Sequence, residues 1–409
     1  MHRVAVTGIG GICALGNDWP SLLRGLKAGR NAVRVIPEWD RYGELGTRLA
    51  VPVPDFAVPA EWTRKQLRSM GRVSQLAVRS ATLALADAGL MGDPRITDGS
   101  MGVACGSSVG STADIRDFAE VLMTGHSTGI NANSYVRMMP HTTAANIGIF
   151  LGITGRIIPT SSACTSASQA IGYAYEAIRF GRQTMMLAGG AEELCASHAM
   201  AFDQLYAASR RNDAPQLVPQ PYDRDRDGLV VGEGAGILVL EDLEIARSRG
   251  VRIYAELAGF ASNSDGTHIT RPNEETMRIV MEMAVRDAGI DARQVGYVNG
   301  HGTATEHGDI AETQATAKVF GPGTPISSQK SYIGHTMGAC GALEAWITIE
   351  GMRLGWFPPT INLRNTDPRC GDLDFITGEG RSISTEYAIN NNFAFGGINT
   401  SMIFRRWAG

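Results

Sequence analysis

The stretch PTSSACTSASQAIGYA, Pro159 to Ala174, decides how this chain is read. Ahead of it, IGIFLGITGRIIPT is apolar and reads as a strand. After it, SASQAIGYAYEAIRFG carries Ala, Ile and Tyr at helical spacing. A single cysteine, Cys164, therefore sits at a strand-to-helix turn among Ser161, Ser162 and Ala163. A thiol at a helix N-terminus meets unpaired N–H groups and the positive end of the dipole, which lower its pKa and favour the thiolate. Small neighbours leave room for a substrate to reach the backbone. The competing reading is a buried structural cysteine, the usual fate of a free thiol, and it suits the other five.

Working outward, the same order of elements occurs twice. RVAVTGIG, QLAVRSATLALADAGL and MGVACGSS read as strand, helix and strand; so do IYAELAGFASNSDG, ETMRIVMEMAVRDAGI and VGYVNGHGT. Asp87-Ala88-Gly89-Leu90 matches Asp287-Ala288-Gly289-Ile290, each closing a helix before a strand. Element order more than identity points to an internal duplication, with two similar α/β halves spanning residues 1–250 and 251–409. The polar loop RRNDAPQLVPQPYDRDRDG (Arg210 to Gly228) reads as an insertion in the first half.

Bulk properties agree. A chain of 409 residues exceeds one ordinary core, and 49 glycines with 19% charged residues favour a tightly packed α/β enzyme. A net charge of −4 speaks against nucleic acid as the main partner. Six cysteines without CxxC spacing look like reduced thiols, which implies a cytoplasmic protein. Glycines interrupt the apolar start MHRVAVTGIGGICALG, so it reads as a strand and turn, not a signal peptide. No apolar stretch reaches membrane-spanning length, and a soluble protein is expected.

Two histidines stand apart from the rest. His301 in VNGHGTATEHGD follows a short strand and lies between glycines; His335 in SSQKSYIGHTMGACGALEA occupies another Gly-preceded turn, five residues after Lys330. One loop histidine is ordinarily just solvated; two held among small residues, each followed shortly by Thr, make that reading less comfortable. A thiol with two imidazoles fits acyl chemistry, with Cys as nucleophile and His donors steadying a carbonyl oxygen. The same trio would also suit zinc, although the local ligand pairs of structural zinc sites are missing.

TSSACTSASQAIG, GHGTAT, QKSYIGHTMGACGALEA and NNFAFGGINTSMIF, with PYDRDRDGLVVGEGAGILVLED between them, resemble the signature regions of the elongating β-ketoacyl-acyl carrier protein synthases. Their order and spacing match over essentially the whole chain. The resemblance implies the thiolase-like fold, two duplicated α/β halves in a layered α-β-α-β-α arrangement. It implies that Cys164 holds the acyl chain and that the N–H groups of Cys164 and Phe395 form the oxyanion hole. His301 and His335 would bind the malonyl thioester carbonyl through decarboxylation. Lys330 would stand beside them, with Asp309 and Glu344 as its ionic network. Thr270 and Thr303 would hydrogen-bond pantetheine, Phe395 and Phe202 would gate the site, and Val109 at a dimer interface would limit acyl-pocket depth. No resident cofactor or metal is implied, since 4′-phosphopantetheine arrives on the carrier protein. A homodimer is expected, with a heterodimer with a homologous synthase subunit as the other possibility.

TRKQLRSMGR sets Arg64, Lys65, Arg68 and Arg72 close together, largely on one helical face of an acidic protein. A solvated face is the default reading, but the same region of the family docks the acidic carrier protein. Some residues depart from the family pattern: Ala394, Ile398, Arg271, Tyr332, Ile333 and Cys340. Ala394 would stiffen the Phe395 turn if that position required a positive φ. The competing functional class is a non-catalytic, chain-length-factor-like partner subunit; such chains lack the cysteine. A thiolase would need a second catalytic cysteine near the C-terminus, and NNFAFGGINTS has none.

Overall fold

Eleven strands form one mixed sheet in the structure, a computed structural model that describes residues 1–127 and 129–409. They are β1 (Val4–Ile12), β2 (Met101–Gly106), β3 (Ile157–Thr160), β4 (Met185–Glu192), β5 (Gly234–Asp242), β6 (Ala255–Ser264), β7 (Val295–Asn299), β8 (Pro325–Ser327), β9 (Asp374–Phe375), β10 (Tyr387–Ala394) and β11 (Ile398–Arg406). Outward from the centre one side runs β1-β5-β4-β2-β3, the other β6-β11-β10-β7-β8, with β9 added at that edge. Both sides show the same directions in the same order: two antiparallel pairings, then two parallel ones. A short antiparallel pairing of Val4–Val6 with Ala255–Leu257 joins them. This is a duplicated α/β architecture.

The helices that matter are α1 (Arg72–Asp87), α2 (Thr142–Leu151), α3 (Ser166–Arg179), α4 (Ala196–Gln204), α5 (Glu274–Ala288), α6 (Glu306–Phe320) and α7 (Cys340–Leu354). Helices α1 and α2 cover the first half of the sheet, and α5, backed by α6, covers the second. Between the halves lie α3 and α7, each touching strands of both, which yields the layers α-β-α-β-α. Residues Cys340 to Met352 of α7 are all buried, as expected of a helix that is apolar nearly all round. Its Leu343, Trp346 and Ile347 join Ile171 and Ile178 of α3 in a core with Leu238, Met402 and Phe404.

The glycine content follows from this packing. A Cβ on Gly236 of β5 would lie 2.9 Å from the Cβ of Ala342 in α7. One on Gly190 of β4 would lie 2.4 Å from the Gly338 carbonyl oxygen. The central helices approach the strands closely because side chains are missing there.

The Asp-Ala-Gly repeat has a structural counterpart. Asp87 accepts the Ile9 N–H of β1 at 2.9 Å and the Tyr254 hydroxyl at 2.9 Å. Asp287 accepts the Phe260 N–H of β6 at 3.1 Å and the Tyr175 hydroxyl at 2.8 Å. In each half the carboxylate ties the outer helix to its first strand and receives a tyrosine from elsewhere in the chain. The apolar run ahead of Cys164 is not one strand: all of IGIFL belongs to α2, and only Ile157–Thr160 is strand, because the run packs a helix on β2 and β3. Among the described residues no helix is long and apolar enough to cross a membrane.

Removing either carboxylate strands an N–H and a hydroxyl. Asp87→Ala and Asp287→Ala are each expected to lose about 1–3 kcal/mol of stability, read as a lower midpoint in urea unfolding, with half-buried Asp287 losing the more. Midpoints equal to the wild type would show that the paired aspartates hold nothing.

Candidate active site

Strand β3 ends at Thr160, and a short 3-10 turn, Ala163–Thr165, leads into α3. Ser166 Oγ accepts the Ser162 N–H and donates to the Ala163 carbonyl, while Thr165 Oγ1 donates to the Ser162 carbonyl. These bonds explain the small hydroxyl residues around the cysteine: they stitch the turn. Ala163 has φ +51°, a left-handed conformation costly for alanine, and Cys164 stands at the apex. The second half repeats the device. A 3-10 turn, Met337–Ala339, precedes α7, and Met337 has φ +43°, two residues after His335. The two central helices thus begin side by side, one presenting the thiol and the other an imidazole.

Cys164 Sγ lies 2.9 Å from His335 Nε2. The Met337 N–H donates to His335 Nδ1 at 3.3 Å, so the ring proton of the neutral imidazole is on Nε2 and faces the sulfur. His301 Nδ1 lies 3.1 Å from Lys330 Nζ. An ammonium only donates, so this ring too carries its proton on Nε2. The rings stand edge to face, with centroids 5.2 Å apart. The backbone N–H groups of Phe395 and Cys164 itself also face the sulfur. Four donors are therefore directed at the space around one thiol.

Lys330 is 1% exposed and donates to Glu344 Oε1 at 2.5 Å. Asn392 Nδ2 donates to the other Glu344 oxygen at 2.7 Å. Asp309 was expected in this network and is not. Its carboxylate faces Arg226 at 3.4 Å and accepts the Tyr222 N–H at 2.7 Å. It lies at the first turn of α6, where it anchors the 210–228 insertion. The acid nearest His301 is instead Glu312, one turn further along α6, which accepts the N–H groups of His301 and Gly302. A second unanticipated acid, Glu192, accepts from Ser107 Oγ, Ser108 N–H and Gly338 N–H, joining the ends of β2 and β4 to the His335 turn. Acids on the inward face of α6 and at the end of the apolar strand MMLAGGAE were the available signals.

Burial dominates the electrostatics. It pushes the Cys164 thiol up to about 12, against the opposing pull of Lys330 and the two N–H groups. The thiolate expected from the helix N-terminus is overturned: desolvation outweighs the dipole. Burial and the Lys330 charge hold His301 and His335 well below the usual histidine range, so both are neutral. Desolvation raises Glu192 to about 7 and Glu312 to about 8. It also opposes the charge on Lys330, but Glu344, Cys340 and Glu312 together outweigh it and the ammonium is retained.

Cys164, His301 and His335 open into a cavity of about 760 Å³. Phe202 of α4, Phe395, Thr270 and Thr303 also line it, and the rings of Phe202 and Phe395 are 5.4 Å apart. Gly396 and Gly397 turn the chain at φ +90° and +68°. Ala394 is an ordinary strand residue opposite Ile398, so its β-carbon meets no left-handed requirement. Val109 does not line this cavity; it is half-buried and follows Ser108, whose N–H donates to Glu192. The Cys164 sulfur and the two ring nitrogens lie within 4.8 Å of one another, close enough to share a zinc ion. The ammonium 3.1 Å from His301 opposes a second cation there.

The basic stretch is not one helix. Arg64–Leu67 is a short helix capped by Thr63 and Gln66, and α1 begins separately at Arg72. Arg64, Lys65 and Arg68 are exposed. Arg72 is not available with them, because buried Glu233 holds it in a two-pronged pair at 2.7 and 2.8 Å.

Comparison with known proteins agrees with this geometry. The family model "Beta-ketoacyl synthase, N-terminal domain" matches residues 1–246, and "Beta-ketoacyl synthase, C-terminal domain" matches residues 254–364. The 3-oxoacyl-[acyl-carrier-protein] synthase 2 of Vibrio cholerae is 38% identical over 413 residues, 99% of each chain. A crystal structure of a β-ketoacyl synthase from Burkholderia phymatum superposes with a TM-score of 0.99 at 60% identity, covering all of both chains. A ketosynthase solved with its type II polyketide acyl-carrier protein and bound to the hexaketide superposes at 0.87, with 32% identity over 99% of each chain. This chain belongs to the β-ketoacyl synthase family, whose members are condensing acyltransferases.

Proposed function

We propose that this chain condenses an acyl group held on Cys164 with the malonyl group of malonyl-acyl carrier protein, giving a β-ketoacyl-acyl carrier protein. One observation carries the reading: a buried thiol in contact with one Nε2–H donor, beside a second that Lys330 orients, in a cavity two N–H groups also face. Cys164 attacks the acyl thioester carbonyl. The oxyanion is held by the N–H groups of Cys164 and Phe395, and the departing pantetheine thiol takes the Cys164 proton. The malonyl thioester then enters, its carbonyl oxygen accepting from His301 and His335. Carbon dioxide leaves, and the electron pair of the broken C–C bond becomes an enolate that the two imidazoles steady. The enolate carbon attacks the acyl-Cys164 carbonyl. The tetrahedral oxyanion collapses, expelling the Cys164 thiolate, which takes up a proton from water.

Lys330, Glu344 and Glu312 position the imidazoles, and Asp309 holds the insertion. Thr270 and Thr303 receive the pantetheine arm, and Phe202 with Phe395 separates the acyl site from solvent. The carrier protein brings 4′-phosphopantetheine, so no resident cofactor takes part. Arg64, Lys65 and Arg68 face the acidic carrier. The partner in a dimer covers edge strand β3 and the region of Val109. Ile157 is 44% exposed there, and on helix Thr112–Thr124 Leu122 is 88% exposed. Six free thiols suit a cytoplasmic protein.

Incubation with acyl- and malonyl-carrier protein, followed by intact mass and CO₂ release, tests the reading. Wild type is expected to carry an acyl adduct on Cys164, and Cys164→Ala none. His301→Ala should still be acylated while CO₂ release falls about 10²–10³-fold. An adduct on Cys164→Ala, or decarboxylation untouched in His301→Ala, would refute it.

The raised thiol pKa gives a second test. Because Cys164 titrates near 12, not at the ordinary 9.0, its thiolate fraction should grow about tenfold per unit from roughly pH 7 to 10. Iodoacetamide alkylation of Cys164 should follow that slope. A plateau near pH 9 would contradict the burial argument.

A further inference from the structure

Two cations line the Cys164 cavity, and they differ in kind. Arg226 is buried and neutralised by Asp309 at 3.4 Å and Asp367 at 2.8 Å. Arg271 is exposed, and among the described residues no carboxylate pairs with it. The acids that line the cavity are already engaged: Glu306 with Arg369, Asp265 with Thr276 and Asn399, Asp227 with Ser209 and the Arg210 N–H, and Glu312 with the N–H groups of His301 and Gly302. The segment holding Arg271 is fixed. His268 Nδ1 accepts the N–H groups of both Thr270 and Arg271 at 3.1 Å, which places the ring proton on Nε2. The Gly396 N–H donates to the Ile269 carbonyl at 2.7 Å, tying this segment to the Phe395 turn. The cavity thus has its thiol at a buried floor and an unpaired guanidinium at its solvent end.

We propose that Arg271 binds the phosphate of the phosphopantetheine arm, so that this enzyme recognises the arm by charge as well as by length. The inference rests on the condensing reading above. A thioester seated on Cys164 places its only anionic group at the open end of the cavity. A planar guanidinium there offers two parallel donors to phosphate oxygens. Thr270, the preceding residue, lines the same wall.

The rate of acyl-Cys164 formation from octanoyl-phosphopantetheine, octanoyl-pantetheine and octanoyl-carrier protein tests this by intact mass. Wild type should use the phosphorylated small donor about tenfold better than the unphosphorylated one, the low end for a charged hydrogen bond. Arg271→Ala should bring that ratio close to one. Arg271→Lys should fall between, since it keeps charge but not the fork. Added salt should shrink the wild-type ratio. No preference in wild type, or an undiminished ratio in Arg271→Ala, would overturn the proposal. So would a defect confined to the carrier-protein donor, which would assign Arg271 to an acidic carrier side chain. If no donor acylates Cys164, the condensing reading itself fails, a result distinct from loss of the phosphate preference.

Discussion

A buried ammonium sits at the centre of this molecule. Lys330 is almost wholly removed from water, and removing an ion from water costs several kcal/mol unless it is paired. Glu344 supplies the counter-charge and Asn392 satisfies the second Glu344 oxygen. These three residues come from the segment after β8, from α7 and from β10, so the ion pair also fixes how those elements meet. His301 takes part through Nδ1. The contact that makes Lys330 tolerable in the interior is therefore also the one that sets the tautomer of a working imidazole. Stability and chemistry share one interaction.

The duplication explains why the site lies on a seam. Each half presents the N-terminus of its central helix toward the other, and the two turns share a left-handed residue, Ala163 and Met337. The chemistry has diverged on that common frame. One turn bears the nucleophile; the other bears His335, and its Gly338 N–H is used to hold Glu192. Such close approach of helix starts and strand ends needs small residues, hence glycine at 190 and 236. A site assembled from equivalent turns inherits its geometry from the packing of whole layers, which suits acyl transfer between large tethered substrates.

Much of this was readable in one dimension, and the rest was not, for physical reasons. Cys164, His301 and His335 are flanked by small residues, and that local signature survives in the sequence. The Asp87 and Asp287 repeat is short but marks a shared hydrogen-bonding task. Partner choice is different, because it is decided between elements far apart in the chain. Asp309 and Glu312 are neighbours on one helix, yet one turns to Arg226 and the other to the His301 backbone. Arg72 looks like its basic neighbours until Glu233, 161 residues away, claims it. The sign of the Cys164 shift misled for the same reason. A helix dipole is a local property, whereas desolvation belongs to the folded whole.

The resting site then has a definite logic. The groups that meet at the buried floor of the cavity are uncharged, a thiol and two neutral imidazoles, with the Lys330–Glu344 pair behind them. The walls include Phe202, Phe393 and Phe395, and the Phe393 ring meets His301 edge to face at 6.1 Å. A malonyl carboxylate carried to this apolar wall gives up water contacts and finds few donors in exchange. The carbonyl oxygen of the same thioester meets two preorganised N–H groups. Loss of carbon dioxide moves the negative charge from the poorly served end to the well-served one. Neutral histidines are the better choice for that task. A protonated ring would need a hydrogen on the Nδ1 that Lys330 or the Met337 N–H already occupies, so the lysine and the backbone hold the donors in the form the enolate requires.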